Sequence, residues 1–207
     1  MAQFIAKTVA LLAFVLMISA PADANQYAHG KLVARQSTSP CVLDDLLGRV
    51  GASKGGRKVG IVIDASGSMS FNDPNDVRLE ASQSLANALI DVSEASNDKT
   101  ADLLTVVDFS SSADLLYPVG NPSGANGVIG SITPGGGTAI GTGVKAAIDE
   151  LTKAGKDPTA NRTGIVVFTD GQDDPSSGTV LTIAQLKRAV GLGVRISFGF
   201  LSVDASN

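Results

Sequence analysis

Four short apolar runs, Val59–Ile63, Leu103–Val107, Ile165–Phe168 and Val194–Phe200, recur along the chain. Their length and β-branched content predict strands. Three of the four are nearly continuous in apolar character, the pattern of strands covered by helices on both faces of a parallel sheet. Helical stripes lie between them: Leu79, Ala86, Leu89 and Ile90 form one, Ile140, Val144, Ala147, Ile148 and Leu151 a second, and Ile183, Leu186 and Val190 a shorter third. Asp114–Val119 follows Asp108–Ser112 closely enough for a hairpin strand. This alternation predicts an α/β domain with a doubly wound, mostly parallel sheet flanked by helices. Val62 and Val166 fall inside strands and are predicted to be buried.

The segments ahead of the first strand read differently. Lys7 precedes an apolar stretch, Val9–Ile18, and Ala22-Asp23-Ala24 offers a small-residue cleavage site, so residues 1–24 read as a secretory signal peptide. Residues 25–57 form a polar leader with one short amphipathic stretch (Val42, Leu46, Leu47, Val50), and residues 58–207 form the domain. The apolar stretch is shorter than the roughly 18 residues of a membrane-spanning helix, and no later segment comes closer. The expected product is secreted, without a transmembrane segment.

Composition narrows the function classes. The chain has 207 residues, 43% hydrophobic and 17% charged, enough for one domain with a real core. Its net charge of −4 is unchanged by loss of residues 1–24, which hold one lysine and one aspartate. Basic residues are scattered and aromatics are 4%, so neither a phosphate-tracking stripe nor a stacking platform for nucleic acid is present. Cys41 is the only cysteine; a buried free thiol and a bond to a partner both stay open. Asn161-Arg162-Thr163 is a glycosylation sequon.

The chemistry gathers at strand ends. "IVIDASGSMS" ends the first strand on Asp64 and follows it with Ser66 and Ser68; "VVFTDGQDD" ends a later one on Asp170. Parallel strands bring their carboxyl ends to one edge, where doubly wound sheets bind ligands. Between these segments "TPGGGTAI" carries Thr138 on a glycine-rich loop ahead of a helix. Two acids and three hydroxyls form an all-oxygen set suited to a hard divalent cation, Mg²⁺ or Mn²⁺. A simpler reading makes Ser66 and Ser68 turn or cap residues and Thr138 the cap of a helix starting at Ala139. Asp73 and Asp76 are expected to cap the first helix, and Asp173 and Asp174 to be solvated loop acids. Catalysis is not expected: the only imidazole is His29 in the leader, and neither Gly-x-Ser-x-Gly nor a Walker-type loop occurs. The remaining catalytic reading is hydrolysis by metal-activated water.

Asp64-x-Ser66-x-Ser68, Thr138 after a glycine run, and Asp170-Gly171, in that order, resemble the complete metal-ion-dependent adhesion site of the von Willebrand factor type A domain. The resemblance covers roughly residues 58–207 and implies a Rossmann-like fold. It implies Ser66, Ser68 and Thr138 as the more direct ligands of the cation, with Asp64 and Asp170 direct or acting through water. It also implies a protein ligand whose carboxylate completes the coordination, in adhesion or matrix interaction. The serines are expected on an exposed crest, and ligand selectivity in the loops Phe71–Asp76 and Gln172–Gly178. Domains of this family usually continue beyond the strand at Val194–Phe200, so the chain reads as C-terminally truncated, and the resemblance implies a cysteine beyond Asn207 paired with Cys41. The alternative is a regulatory or substrate-presenting domain of a larger exported enzyme or transport-associated protein.

Overall fold

In a computed structural model, which describes residues 55–153, 162–171, 173–174 and 178–201, the central strand is β1 (Lys58–Asp64). It pairs in parallel with β2 (Leu103–Phe109) on one side and β4 (Thr163–Thr169) on the other. β3 (Ala113–Gly120) runs antiparallel to β2, and β5 (Arg195–Phe200) parallel to β4, giving the order β3-β2-β1-β4-β5. The chain builds outward from β1 through β2 and β3, then returns to the other side of β1. The strand order therefore reverses between β1 and β4, which is where an open α/β sheet forms its crevice. This is the doubly wound fold that the alternation of apolar runs predicts, and the hairpin strand is present as β3.

Helices cover both faces. α4 (Ile140–Leu151) and α5 (Gly178–Gly191) lie on one, where Val62, Val107, Phe109, Ile165 and Val167 pack against Ile140, Val144, Ile148, Leu151 and Ala189. α2 (Val77–Asn87) and α3 (Asn126–Ile129) lie on the other, over Ile61, Ile63, Leu104 and Val106. α1 (Met69–Asn72) is a single turn following β1. Leu89 and Ile90 lie past the end of α2 but remain buried.

Two expectations about burial are corrected. β1 and β2 are buried on both faces over most of their length, but β4 alternates, with Val166 and Phe168 only half-buried. The described helices on that face cover β1 and β2, so Val166 is not a core position. The stripe Ile183, Leu186, Val190 does not face the core either: Ile183 and Val190 are exposed, and Gln185 and Ala189 are buried instead. Gly141 supplies the reason. A Cβ there would lie 2.6 Å from the backbone nitrogen of Thr182, so α5 rests its backbone directly on α4. That close approach turns the face of Thr182, Gln185 and Ala189 inward and leaves the larger apolar side chains outside. Residues 1–54, with the signal peptide, the leader stretch and Cys41, lie outside the described residues, as does Asn161.

Candidate metal centre at the carboxyl ends of β1 and β4

Ile63 of β1 pairs with Phe168 of β4, so Asp64 and the Thr169-Asp170 pair leave the sheet side by side. Asp64 is fully buried. Its Oδ1 accepts the backbone N–H of Ser66 at 2.8 Å, a local turn that an aspartate favours at the end of a strand. Its Oδ2 accepts the hydroxyl of Thr169 at 2.7 Å. Both donors are neutral. Burial pushes the Asp64 carboxyl above its usual range, the hydrogen bonds from Ser66 and Thr169 draw it partly back, and the charge of Asp170 adds to the rise.

The Asp64 turn sets the serines. The hydroxyls of Ser66 and Ser68 lie 2.9 Å apart. Ser66 is 1% exposed, correcting the expected exposed crest, because the turn folds its side chain under the loop; Ser68 is half-buried. Ser68 occupies the cap position of α1 without a side-chain capping bond, so the reading of this serine as a cap is not what the structure shows. Met69 is fully buried, and its N–H donates to the Ser66 carbonyl at 3.1 Å.

Thr138 arrives on a separate loop that is docked onto the same turn. Gly135 N–H donates to the carbonyl of Ala65 at 2.7 Å, and Gly67 N–H to that of Gly136 at 3.1 Å. Gly136 has φ +77°, and a Cβ there would meet the hydroxyls of Ser110 and Ser111 at 3.2 Å, so this close seat needs glycine. The Thr138 carbonyl accepts the N–H of Asp174 at 2.8 Å. Helix α4 begins at Ile140 with Ala139 in its cap position, so Thr138 is not its cap.

Asp170 is half-buried, and its Oδ2 accepts Asn72 Nδ2 at 2.9 Å. The Gly171 N–H returns to Thr169 Oγ1 at 3.1 Å. Asp173, expected to be solvated, accepts the Ile140 N–H at 3.2 Å and the Thr182 hydroxyl at 2.7 Å, linking the starts of α4 and α5. Asp73 caps α2 as expected, accepting the N–H groups of Val77 and Arg78 at 2.8 and 3.0 Å. Asp76 does not: it holds the cap position in the left-handed region, φ 54°, and its carboxylate instead accepts Arg78 Nη1 at 2.9 Å.

The three sequence segments thus meet at one edge. Asp64, Ser66 and Ser68 form one hydrogen-bonded turn, Asp170 stands on the neighbouring strand end, and the Thr138 loop is seated by its backbone. The profile of the von Willebrand factor type A domain matches residues 59–172. The chain belongs to this family.

Solved structures share its fold. The chain is similar to the conserved hypothetical protein BatB from Bacteroides thetaiotaomicron, with 28% identity and a TM-score of 0.52 over 69% of this chain and 65% of that one. It is similar to an aerotolerance-related membrane protein from Bacteroides fragilis, with 26% identity and a TM-score of 0.51 over 73% and 75%. It shares the fold of proximal thread matrix protein 1 from the mussel byssus, solved with a zinc-occupied metal-ion-dependent adhesion motif, at 23% identity and a TM-score of 0.51 over 69% and 35%. The chain spans less than two thirds of the length of the BatB and mussel chains. No curated protein sequence matches it. Von Willebrand factor type A domains are typically modules of protein–protein interaction rather than enzymes.

In this von Willebrand factor type A domain several residues around the strand ends escaped sequence reasoning. Thr169, Asn72 and Arg78 each touch Asp64 or Asp170, from 105, 98 and 14 positions away along the chain respectively. Only Thr169, the residue just before Asp170, carried a positional hint. The described residues contain no cluster of three or more His, Cys, Asp or Glu side chains that could hold a metal ion. The oxygen set of the five residues is of another kind, two carboxylates and three hydroxyls. No helix among the described residues is long and apolar enough to cross a membrane.

Proposed function

We propose that this von Willebrand factor type A domain is an exported binding module that holds Mg²⁺ or Mn²⁺ at Asp64, Ser66, Ser68, Thr138 and Asp170. The observation that carries the reading is the state of Asp64: a fully buried carboxylate whose two oxygens accept only neutral donors in the structure while Asp170 repels it. A buried negative charge is costly without a compensating positive one, and a hard cation supplies it. The paired hydroxyls of Ser66 and Ser68 and the seated Thr138 loop give the further oxygens that such an ion prefers.

When bound, the cation would offer an electrophilic position to an incoming oxygen. With only two carboxylates around it, the ion keeps positive character and favours an acidic group of a protein partner. The residues of this chain orient: Thr169 and the Ser66 N–H hold Asp64, Asn72 holds Asp170, and the glycine loop presents Thr138. The zinc-occupied motif of the mussel protein supports the reading that this edge of the fold can carry a divalent ion. Export rests on the signal-like residues 1–24, and adhesion or matrix contact is the role such a module would serve.

Electron paramagnetic resonance of Mn²⁺ tests the site. One equivalent of the chain should remove the free-ion signal, Mg²⁺ should restore it by competition, and Thr138→Ala should weaken the removal. A free Mn²⁺ signal undiminished by the unsubstituted chain contradicts the reading.

A further inference from the structure

The seven residues from Asn72, at the end of α1, to Arg78, at the start of α2, reach both acids of the candidate site at once. Asn72, the last residue of α1, donates Nδ2 to Asp170 Oδ2 at 2.9 Å. Arg78, the second residue of α2, donates Nε to the backbone carbonyl of Asp64 at 2.9 Å. Asp73 joins the two ends: its backbone N–H closes α1 on the carbonyl of Met69 at 2.9 Å, and its carboxylate caps α2 and accepts Arg78 Nη1 at 2.8 Å.

Arg78 is fully buried, an uncommon place for a guanidinium. Its positive charge is matched locally by Asp73, 4% exposed, and by the more exposed Asp76. It therefore lends the neighbouring Asp64 a fixed hydrogen-bond donor rather than an uncompensated field. The arrangement uses the rigid fork of arginine, because Nε must face one acceptor while Nη1 faces two others. A lysine ammonium carries its charge at one point and cannot span them.

We propose that Asn72 and Arg78 are positioning residues, and that the segment 72–78 is a brace fixing the distance and orientation between Asp64 and Asp170. This rests on the metal reading of the site. The brace grips Asp64 through its main chain and Asp170 through its carboxylate, so it acts on the spacing of the pair. A set spacing matters more for some ions than for others. Mg²⁺ and Mn²⁺ sites demand near-octahedral geometry, whereas Ca²⁺ accepts longer and more varied coordination. Residues that hold ligands in place typically change metal affinity about 10- to 100-fold when removed.

The test compares the full chain with Asn72→Ala and Arg78→Lys by titration calorimetry with Mn²⁺ and, separately, Ca²⁺, alongside thermal melting in chelator. The brace predicts that Asn72→Ala melts like the unsubstituted chain without metal, yet binds Mn²⁺ about 10-fold more weakly. It also predicts a smaller loss of Ca²⁺ affinity, so the Mn²⁺-to-Ca²⁺ preference falls in each folded variant. A purely structural role would lower both affinities in parallel. Unchanged Mn²⁺ affinity in folded Asn72→Ala, or parallel losses for the two ions, overturns the brace. If Arg78→Lys does not fold, Asn72→Ala decides alone. Absence of Mn²⁺ binding by the unsubstituted chain overturns the metal reading itself, and the brace with it.

Discussion

The hydroxyl of Thr169, the last residue of β4, donates to Oδ2 of Asp64, the last residue of β1, at 2.7 Å, with both side chains fully buried. One bond thus ties the two strand ends that present the acids. Thr169→Val keeps the shape and removes the donor. Leaving a buried acceptor short of a partner costs about 1–3 kcal/mol, so urea melts in chelator should show a loss of that size. Divalent-ion affinity should fall as well, since Asp64 loses the contact that sets its orientation.

The two serines separate by burial. Ser66 lies under the loop and Ser68 is half-buried, and their hydroxyls bond to one another. Ser68→Ala should leave the metal-free melting temperature nearly unchanged, whereas Ser66→Ala should lower it modestly, by about 1 kcal/mol of stability. Both should weaken Mg²⁺ binding in calorimetry. Wild-type affinity in both folded variants would remove the serines from the site.

The core makes a sharper distinction than the apolar runs suggest. Val62 and Val167 are fully buried under α4, but Val166 is half-buried on the other face. Val62→Asp and Val167→Asp should abolish cooperative unfolding by circular dichroism, because an unpaired charge has no place in that core. Val166→Asp should remain folded with reduced stability. Gly143→Ala should also destabilise, by about 1–3 kcal/mol, because the added Cβ would meet Phe109 and Val62 at 2.8 Å and overpack the seat of α4.

At the opposite end of the sheet Asp102 gives a pH signature. It is fully buried and accepts the Arg57 backbone N–H at 2.8 Å, Arg57 Nε at 3.0 Å and the Ile90 N–H at 2.8 Å. Burial alone would raise its pKa, but the hydrogen bonds and charge of Arg57 outweigh it, and the carboxyl is held below its usual 3.8. A lowered folded-state pKa means that the unfolded chain binds the proton more readily. The stabilisation is therefore complete above the ordinary carboxylate value and disappears as pH falls through the lowered one. Urea melts from about pH 5 to about pH 2 should show this loss. Asp102→Asn should be less stable at neutral pH and should flatten that part of the profile.

Local pattern made the strands, α4 and the ordered oxygen residues legible, because each is written in contiguous sequence: β-branched runs, a full helical stripe from Ile140 to Leu151, and Asp64-x-Ser66-x-Ser68. What escaped depends on contacts between distant segments. The outward face of α5 follows from Gly141 drawing Thr182 inward, a pairing that no period in α5 itself encodes. The support of the acids by Thr169 and Asn72 needs β1 and β4 to be neighbours, which topology decides. Arg78 was hidden for another reason: an arginine in the first turn of a helix, two positions after Asp76, reads as solvated, and only the fold buries it.

Calorimetric titration of Mg²⁺ into the full chain and into Asp64→Ala decides whether the strand ends hold a metal. One Mg²⁺ per chain is expected in the unsubstituted protein, and no binding in Asp64→Ala under conditions where circular dichroism shows that variant folded. Equal binding heats for the two folded proteins, or no binding heat in the unsubstituted chain across temperatures, would contradict it.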